Sequence, residues 1–171
     1  MTGIPETVGF AVMTVSDTRD AANDKTGPWL REQITAEGHA VIGHAIIPDD
    51  ISAIQTQLKA WIADPDIHAI IATGGTGLTG RDVTPEAFRP LFDKEMDGFA
   101  AVFHQVSFKS VGVSTIQSRA IAGIAGGTYL FAIPGSSGGC RDAWNHVLRD
   151  EFDRTHGPCN LVELIPRLTE T

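Results

Sequence analysis

Cysteine is nearly missing from this chain. Only Cys140 and Cys159 occur in 171 residues. Their spacing suits no metal site, and two are too few for a disulfide framework. Reduced thiols in a cytoplasmic protein are expected. The six histidines also lack ligand spacing, so no zinc site is predicted. No apolar run reaches the ~18 residues of a membrane span. Positive charge is scarce as well: 13 Lys and Arg stand against 21 Asp and Glu, for a formal net charge of −8. That balance excludes a broad nucleic-acid surface. The segment Met1–Thr7 has no basic region followed by an apolar one, so no signal peptide is expected there. Internal repeats, low-complexity tracts and linkers are absent too.

What remains is ordinary globular composition, 42% hydrophobic and 20% charged. The length suits a single domain over 1–171 with a real core. Glycine is the exception. It contributes 18 residues, above the average share of about 7%. Much of it clusters at 74–80 and 123–139, which points to loops rather than disorder.

The apolar pattern predicts strands over 8–15, 40–47 and 67–73, each followed by a polar loop. Helices are predicted over 27–37, with Gly38 as the stop, and over 51–62, where Ile51, Ile54, Leu58, Trp61 and Ile62 recur at helical spacing. A helix capped by Thr84 with Pro85 at its first position spans 85–93, and another spans 99–108. Segment 111–118 is ambiguous. Residues 122–125 and 128–133 flank Gly126-Gly127 as a hairpin. A last long helix carries Trp144, Val147, Leu148 and Phe152, and the tail 158–168 packs down. Trp29, Trp61 and Trp144 read as core or subunit contacts. The β-α-β-α-β alternation predicts an α/β fold with a mostly parallel sheet covered on both faces. Ligands on such sheets bind beyond the carboxyl ends of the strands. Four polar loops lie at such ends: 16–19, 48–50, 74–82 and 134–139.

The loop Thr73-Gly74-Gly75-Thr76-Gly77-Leu78-Thr79-Gly80-Arg81-Asp82 is the richest of these. Its glycines expose bare backbone N–H groups to an anion. Asp82 adds a carboxylate of the kind that holds Mg²⁺ beside a phosphate. The segment 75–80 also satisfies G-x-G-x-x-G. That fingerprint needs a helix opening inside the motif after the first strand. Here the helix opens later, after the third strand, so the dinucleotide reading is set aside. Residues 135–139 satisfy G-x-S-x-G, which would make Ser137 a nucleophile. Too little chain follows to supply the acid and histidine of a triad. A second anion cradle at Pro134, Gly135 and Ser136 fits better.

Asp49 and Asp50 are one acid more than a helix cap needs. Either can cap; in the functional reading Asp49 faces the ligand and Asp50 caps. Asp17 reads equally as a ligand contact or as a local turn former. Two anion cradles with acids between them suit nucleotidyl transfer. A phosphate monoester has its second pKa near 6, so it attacks without a strong general base. The protein need only hold two anions together and offset their repulsion.

These motifs resemble the molybdenum-cofactor biosynthesis family that contains MoaB, MogA and the G domain of gephyrin. The residues concerned are Ser16-Asp17, Thr73–Gly77, Arg81-Asp82-Val83-Thr84-Pro85-Glu86 and Ile133-Pro134-Gly135-Ser136. Segments Ala60-Trp61-Ile62, Ser114–Ala120 and Arg154–Asn160 resemble the MoaB branch in particular. The resemblance implies a three-layer αβα sandwich. It implies molybdopterin and ATP as ligands, Mg²⁺ as cofactor, and adenylylation of the pterin. Asp82 and Asp49 are then the catalytic and Mg²⁺-binding acids. Ser16, Asp17, Thr73, Gly74, Gly75, Thr76, Gly77, Pro134, Gly135 and Ser136 are the ligand-binding set. A non-catalytic molybdopterin-binding protein is the alternative. Homotrimers or homohexamers are implied, with contacts to other proteins of the pathway and no nucleic-acid or membrane partner.

Overall fold

A computed structural model describes residues 3–171. Met1 and Thr2, where the segment read above as lacking a signal peptide begins, lie outside the described residues. The uninterrupted apolar runs form buried strands. β1 (Gly9–Val15) is buried at every position, and so are β3 (Ala69–Thr73) and β6 (Thr128–Ile133). β2 (Ala40–Ile47) is only partly covered. The remaining strands are β4 (Lys94–Glu95) and β5 (Ile121–Ala125). They form one six-stranded sheet in the order β2-β1-β3-β6-β5-β4. β2, β1, β3 and β6 run parallel, while β5 and β4 each run antiparallel to the neighbour nearer the centre.

Strand alternation sends neighbouring side chains to opposite faces. Phe10, Val12, Ile71, Tyr129 and Phe131 pack under α1 (Thr26–Ala36), α4 (Asp97–Val111) and α5 (Ser137–Ala143). Ala11, Met13, Ile70, Ala72 and Leu130 pack under α2 (Ile51–Ile62) and α3 (Thr84–Phe88). Two cores separated by one sheet make the αβα sandwich that the sequence pattern and the resemblance both implied. The chain past α5 continues through a π-helical turn, Trp144–Leu148, into α6 (Arg149–Glu151), and the tail docks through α7 (Leu161–Leu164). No helix among the described residues is long and apolar enough to cross a membrane.

Four local expectations need correction. The helix expected over 85–93 ends at Phe88, because Pro90 admits only a 3₁₀ turn, Arg89–Leu91, beyond it. Thr84 does not cap that helix. It lies inside the first turn, and its hydroxyl donates to the Gly74 carbonyl at 2.8 Å instead. The helix read as 99–108 runs from Asp97 to Val111, and the ambiguous stretch after it is a 3₁₀ segment, Gly112–Gln117. β4 was not foreseen; two exposed charged residues carry no strand pattern. Trp144 is core, as expected, while Trp61 and Trp29 are partly buried against the two clusters.

The first core is centred on packed aromatic rings. Phe131 meets Phe99 at 5.2 Å and Phe152 at 5.9 Å between ring centroids, both near-perpendicular. Phe131→Ala is therefore expected to cost about 3–5 kcal/mol in urea unfolding, since the sheet backbone cannot collapse into the void. A loss below about 1 kcal/mol would contradict this packing.

Candidate functional site

The four parallel strands all deliver their carboxyl ends to one edge, and the loops there are stitched backbone to backbone. Ser16 N–H donates to the Ile47 carbonyl at 2.9 Å, joining the exits of β1 and β2. Gly74 N–H donates to the Ile133 carbonyl at 3.0 Å, and Thr73 Oγ1 donates to the Pro134 carbonyl at 2.9 Å, joining β3 to β6. Gly74 has φ +107°, and a side chain there would strike the Val15 carbonyl. A Cβ on Gly135 would lie 2.9 Å from the Gly74 Cα. Only glycine permits that approach.

Three acids line this edge. Asp17 and Asp49 exchange reciprocal bonds: Asp17 N–H donates to Asp49 Oδ2 at 3.1 Å, and Asp49 N–H donates to Asp17 Oδ1 at 3.0 Å. The other oxygen of Asp17 pairs with Arg81. Asp50 is the cap of α2, accepting from Ala53 N–H at 2.7 Å, which leaves Asp49 free of that role. Asp49 Oδ1 faces Gly75, where a Cβ would come to 3.0 Å. Asp82 Oδ2 accepts from the Thr79 N–H at 2.9 Å and its hydroxyl at 2.7 Å. Burial and then repulsion by Asp82 raise the Asp49 carboxyl above its ordinary range. The Asp49–Asp82 pair is thus short of positive charge.

Beside the acids opens a cleft of about 470 Å³. Gly74–Gly77 and Asp82 form one wall, and Pro134–Ser136 a second. The third is Ser114, Gln117 and Ser118 of the segment after α4. Ser118 Oγ is buried there without a hydrogen-bond partner. Ser136 Oγ accepts from Gly139 N–H at 3.2 Å as the cap of α5, which leaves its own proton to donate.

Among the described residues no three His, Cys, Asp or Glu side chains gather as a metal site. Asp49 and Asp82 do fit Mg²⁺, which is typically held by one or two carboxylates with water and substrate phosphate completing the shell. The repulsion that helps to raise the Asp49 carboxyl, which a cation would relieve, is the observation that supports the fit.

Residues 11–154 match the family described as "Probable molybdopterin binding domain". The chain belongs to this family. It is 45% identical over 151 residues to molybdenum cofactor biosynthesis protein B of Escherichia coli K12, covering 88% of this chain and 89% of that one. With the same-named protein of Halalkalibacterium halodurans it shares 43% over 149 residues, covering 86% and 88%. Its fold superposes on a crystal structure of molybdenum cofactor biosynthesis protein B with a TM-score of 0.87, at 36% identity, covering 98% of this chain and 99% of that one. The tungsten cofactor synthesizing protein MoaB of Pyrococcus furiosus gives 0.74 at 33%, over 86% and 93%.

Within the family fold, the residues singled out in the sequence fall into two groups. Gly74, Gly75, Thr76, Gly77, Asp82, Pro134, Gly135 and Ser136 line the cleft together, while Asp49 lies outside that lining against Gly75 and Asp17 reaches only Asp49 and Arg81. Ser16 and Thr73 hold the loops: Ser16 Oγ accepts from Thr18 and Arg19 N–H, and Thr73 is wholly buried. Several contributors had no sequence signal of their own. Arg19 donates to the Gly135 carbonyl and to Thr26 Oγ1, both at 2.8 Å. Arg119 grips the glycine loop from behind. Lone arginines in loops carry no pattern that would have found them.

The acid pair yields a test. Asp82→Asn removes one of the two causes that raise Asp49. The Asp49 pKa, followed by carboxyl-carbon NMR, is expected to fall yet stay above the ordinary range, because burial persists. A raised folded-state pKa destabilises the ionised form, so the variant's gain in unfolding free energy should appear only above the Asp49 pKa. An unchanged Asp49 titration would show that the two carboxylates do not interact.

Proposed function

We propose that this protein binds molybdopterin and adenylylates it with Mg-ATP, releasing pyrophosphate. The observation that carries this reading is the Asp49–Asp82 pair, charge-deficient and set against a glycine cradle. Family membership supplies the pathway, molybdenum cofactor biosynthesis, and the pterin.

The chemistry asks little of side chains as acids or bases. The pterin's phosphate monoester, with a second pKa near 6, is already a dianion near neutrality. One of its oxygens attacks the α-phosphorus of ATP. A new O–P bond forms as the bridge to the β-phosphorus breaks, and that electron pair departs with pyrophosphate. The N–H groups of Gly75–Gly77 and of Gly135 and Ser136 hold the two anions within one cleft, since the Gly74 N–H already donates to the Ile133 carbonyl. Asp49 and Asp82 would hold Mg²⁺, which would supply the positive charge that offsets the repulsion between the anions. Arg81, 71% exposed and paired with Asp17, is a cation of the glycine loop that departing pyrophosphate could recruit. No nucleophilic side chain is required, which agrees with Ser137 standing at the first position of α5 without histidine or acid.

We also infer self-association, which the surface beside the cleft supports. Phe108, Val111, Val113 and Ile116 are each more than half exposed along the end of α4 and the 3₁₀ segment. A grouped apolar surface of this kind marks contact between proteins, here between copies in a trimer or hexamer. Sedimentation as a monomer at micromolar concentration would contradict that assignment.

Adenylylation is tested directly. Purified protein with molybdopterin, ATP and Mg²⁺ under anaerobic conditions is expected to yield adenylylated pterin by mass. Asp82→Asn is expected to lower the rate by at least about 100-fold. Pterin retained without product would leave a molybdopterin-binding protein that catalyses nothing.

A further inference from the structure

We infer that Arg119 is a positioning residue that fixes the shape of the glycine loop and aims Asp82 into the cleft. The inference rests on reading the cleft as a metal–nucleotide site. Residues 76–82 lack regular structure, so their carbonyls need partners from elsewhere. Arg119 provides three of them. Its backbone N–H donates to the Thr76 carbonyl at 2.8 Å, its Nε to the Gly77 carbonyl at 2.8 Å, and its Nη2 to the Asp82 carbonyl at 2.9 Å. The remaining nitrogen, Nη1, pairs with Glu86 on α3.

The consequence is geometric. Nε and Nη2 belong to one rigid planar group, so the carbonyls of Gly77 and Asp82 are held at a fixed separation. The loop between them becomes a closed ring whose two end carbonyls turn toward Arg119, while the Thr79 carbonyl inside it accepts from Asp82 N–H. Inside the ring, Asp82 Oδ2 is held by Thr79 and lies against Gly77, where a Cβ would sit 2.7 Å away. Lysine has no such fork.

The charge arrangement separates positioning from neutralisation. Arg119 bonds the main-chain oxygen of Asp82, and Glu86 balances the guanidinium. That contact in turn holds the Glu86 carboxyl below its ordinary range. The Asp82 carboxylate is therefore oriented by Arg119 without being paired to it. Arg119 also directly follows the Ser114–Ser118 wall, so its backbone bond to Thr76 ties two walls of the cleft together.

Mn²⁺–ATP binding to the full chain, read by electron paramagnetic resonance, tests the inference. Arg119→Met is expected to weaken binding about 10- to 100-fold. Arg119→Lys should not restore it, and Glu86→Gln should stay within about threefold of wild type because the three loop bonds remain. The deciding measurement is the cycle with Asp82→Asn. If Arg119 acts through Asp82, Arg119→Met in that background costs less than about twofold. Equal losses in both backgrounds, or near-wild-type binding by Arg119→Met, overturn the inference. Amide exchange of the ligand-free proteins gives a second readout. Faster exchange in Arg119→Met confined to 74–82 supports positioning, while faster exchange across β1 and β3 assigns Arg119 to the fold alone and overturns it. Should wild type bind no Mn²⁺–ATP, the nucleotide reading fails, and the exchange result alone decides the role of Arg119 in shaping the loop.

Discussion

The site depends on one steric constraint, the approach of bare backbone at Gly74. At that point β3 leaves the sheet beneath the last carbonyl of β1 and against the loop that follows β6. A side chain at Gly74 or Gly135 would force these strand exits apart. With both positions bare, the turns after β3 and β6 share one cleft, and the turns after β1 and β2 bring Asp17 and Asp49 to its border. Everything else in the site is arranged around that contact. Thr84 ties α3 to the Gly74 carbonyl, and Thr73 ties β3 to Pro134.

Electrostatics then give the packed edge its chemical character. Asp49 lies against Gly75 and Asp82 against Gly77, and repulsion by Asp82 adds to burial in raising the Asp49 carboxyl. The fold could relieve that repulsion with a lysine or arginine between them, and it does not. Arg81 reaches Asp17 at the exposed rim, where a single ion pair contributes little to stability. Arg119 approaches from behind and takes main-chain oxygens. In the proposed function these acids would take a cation brought with an anionic substrate. An acidic protein would then serve phosphates through local N–H groups and that metal rather than through a basic surface.

The sheet was legible because buried strands write themselves as unbroken apolar runs. Gly9–Val15 and Ala69–Thr73 could be read within a residue or two. The four loops at the carboxyl edge followed from strand order alone. Other features were illegible for physical reasons. Lys94–Glu95 is a strand only because Ile124 and Gly123 offer it a partner, and nothing in two charged residues encodes that. Thr84 looks like a cap by type, yet a tertiary carbonyl outcompetes the helix for its hydroxyl. The division of labour between Asp49 and Asp50 could be framed from sequence but was decided by the Ala53 N–H. Arg119 belongs to the same class. Its importance comes from three acceptors that are distant in sequence, and no local pattern announces them.

The central claim is that Asp49 and Asp82 together hold the divalent cation that accompanies the nucleotide. Crystals grown with Mn²⁺ and a non-hydrolysable ATP analogue test it most directly, because the anomalous signal of manganese locates the ion independently of the protein phases. The account predicts a peak within coordination distance of both carboxylates and of a nucleotide phosphate. Nucleotide bound in the cleft with manganese elsewhere, or with no manganese at all, would contradict it.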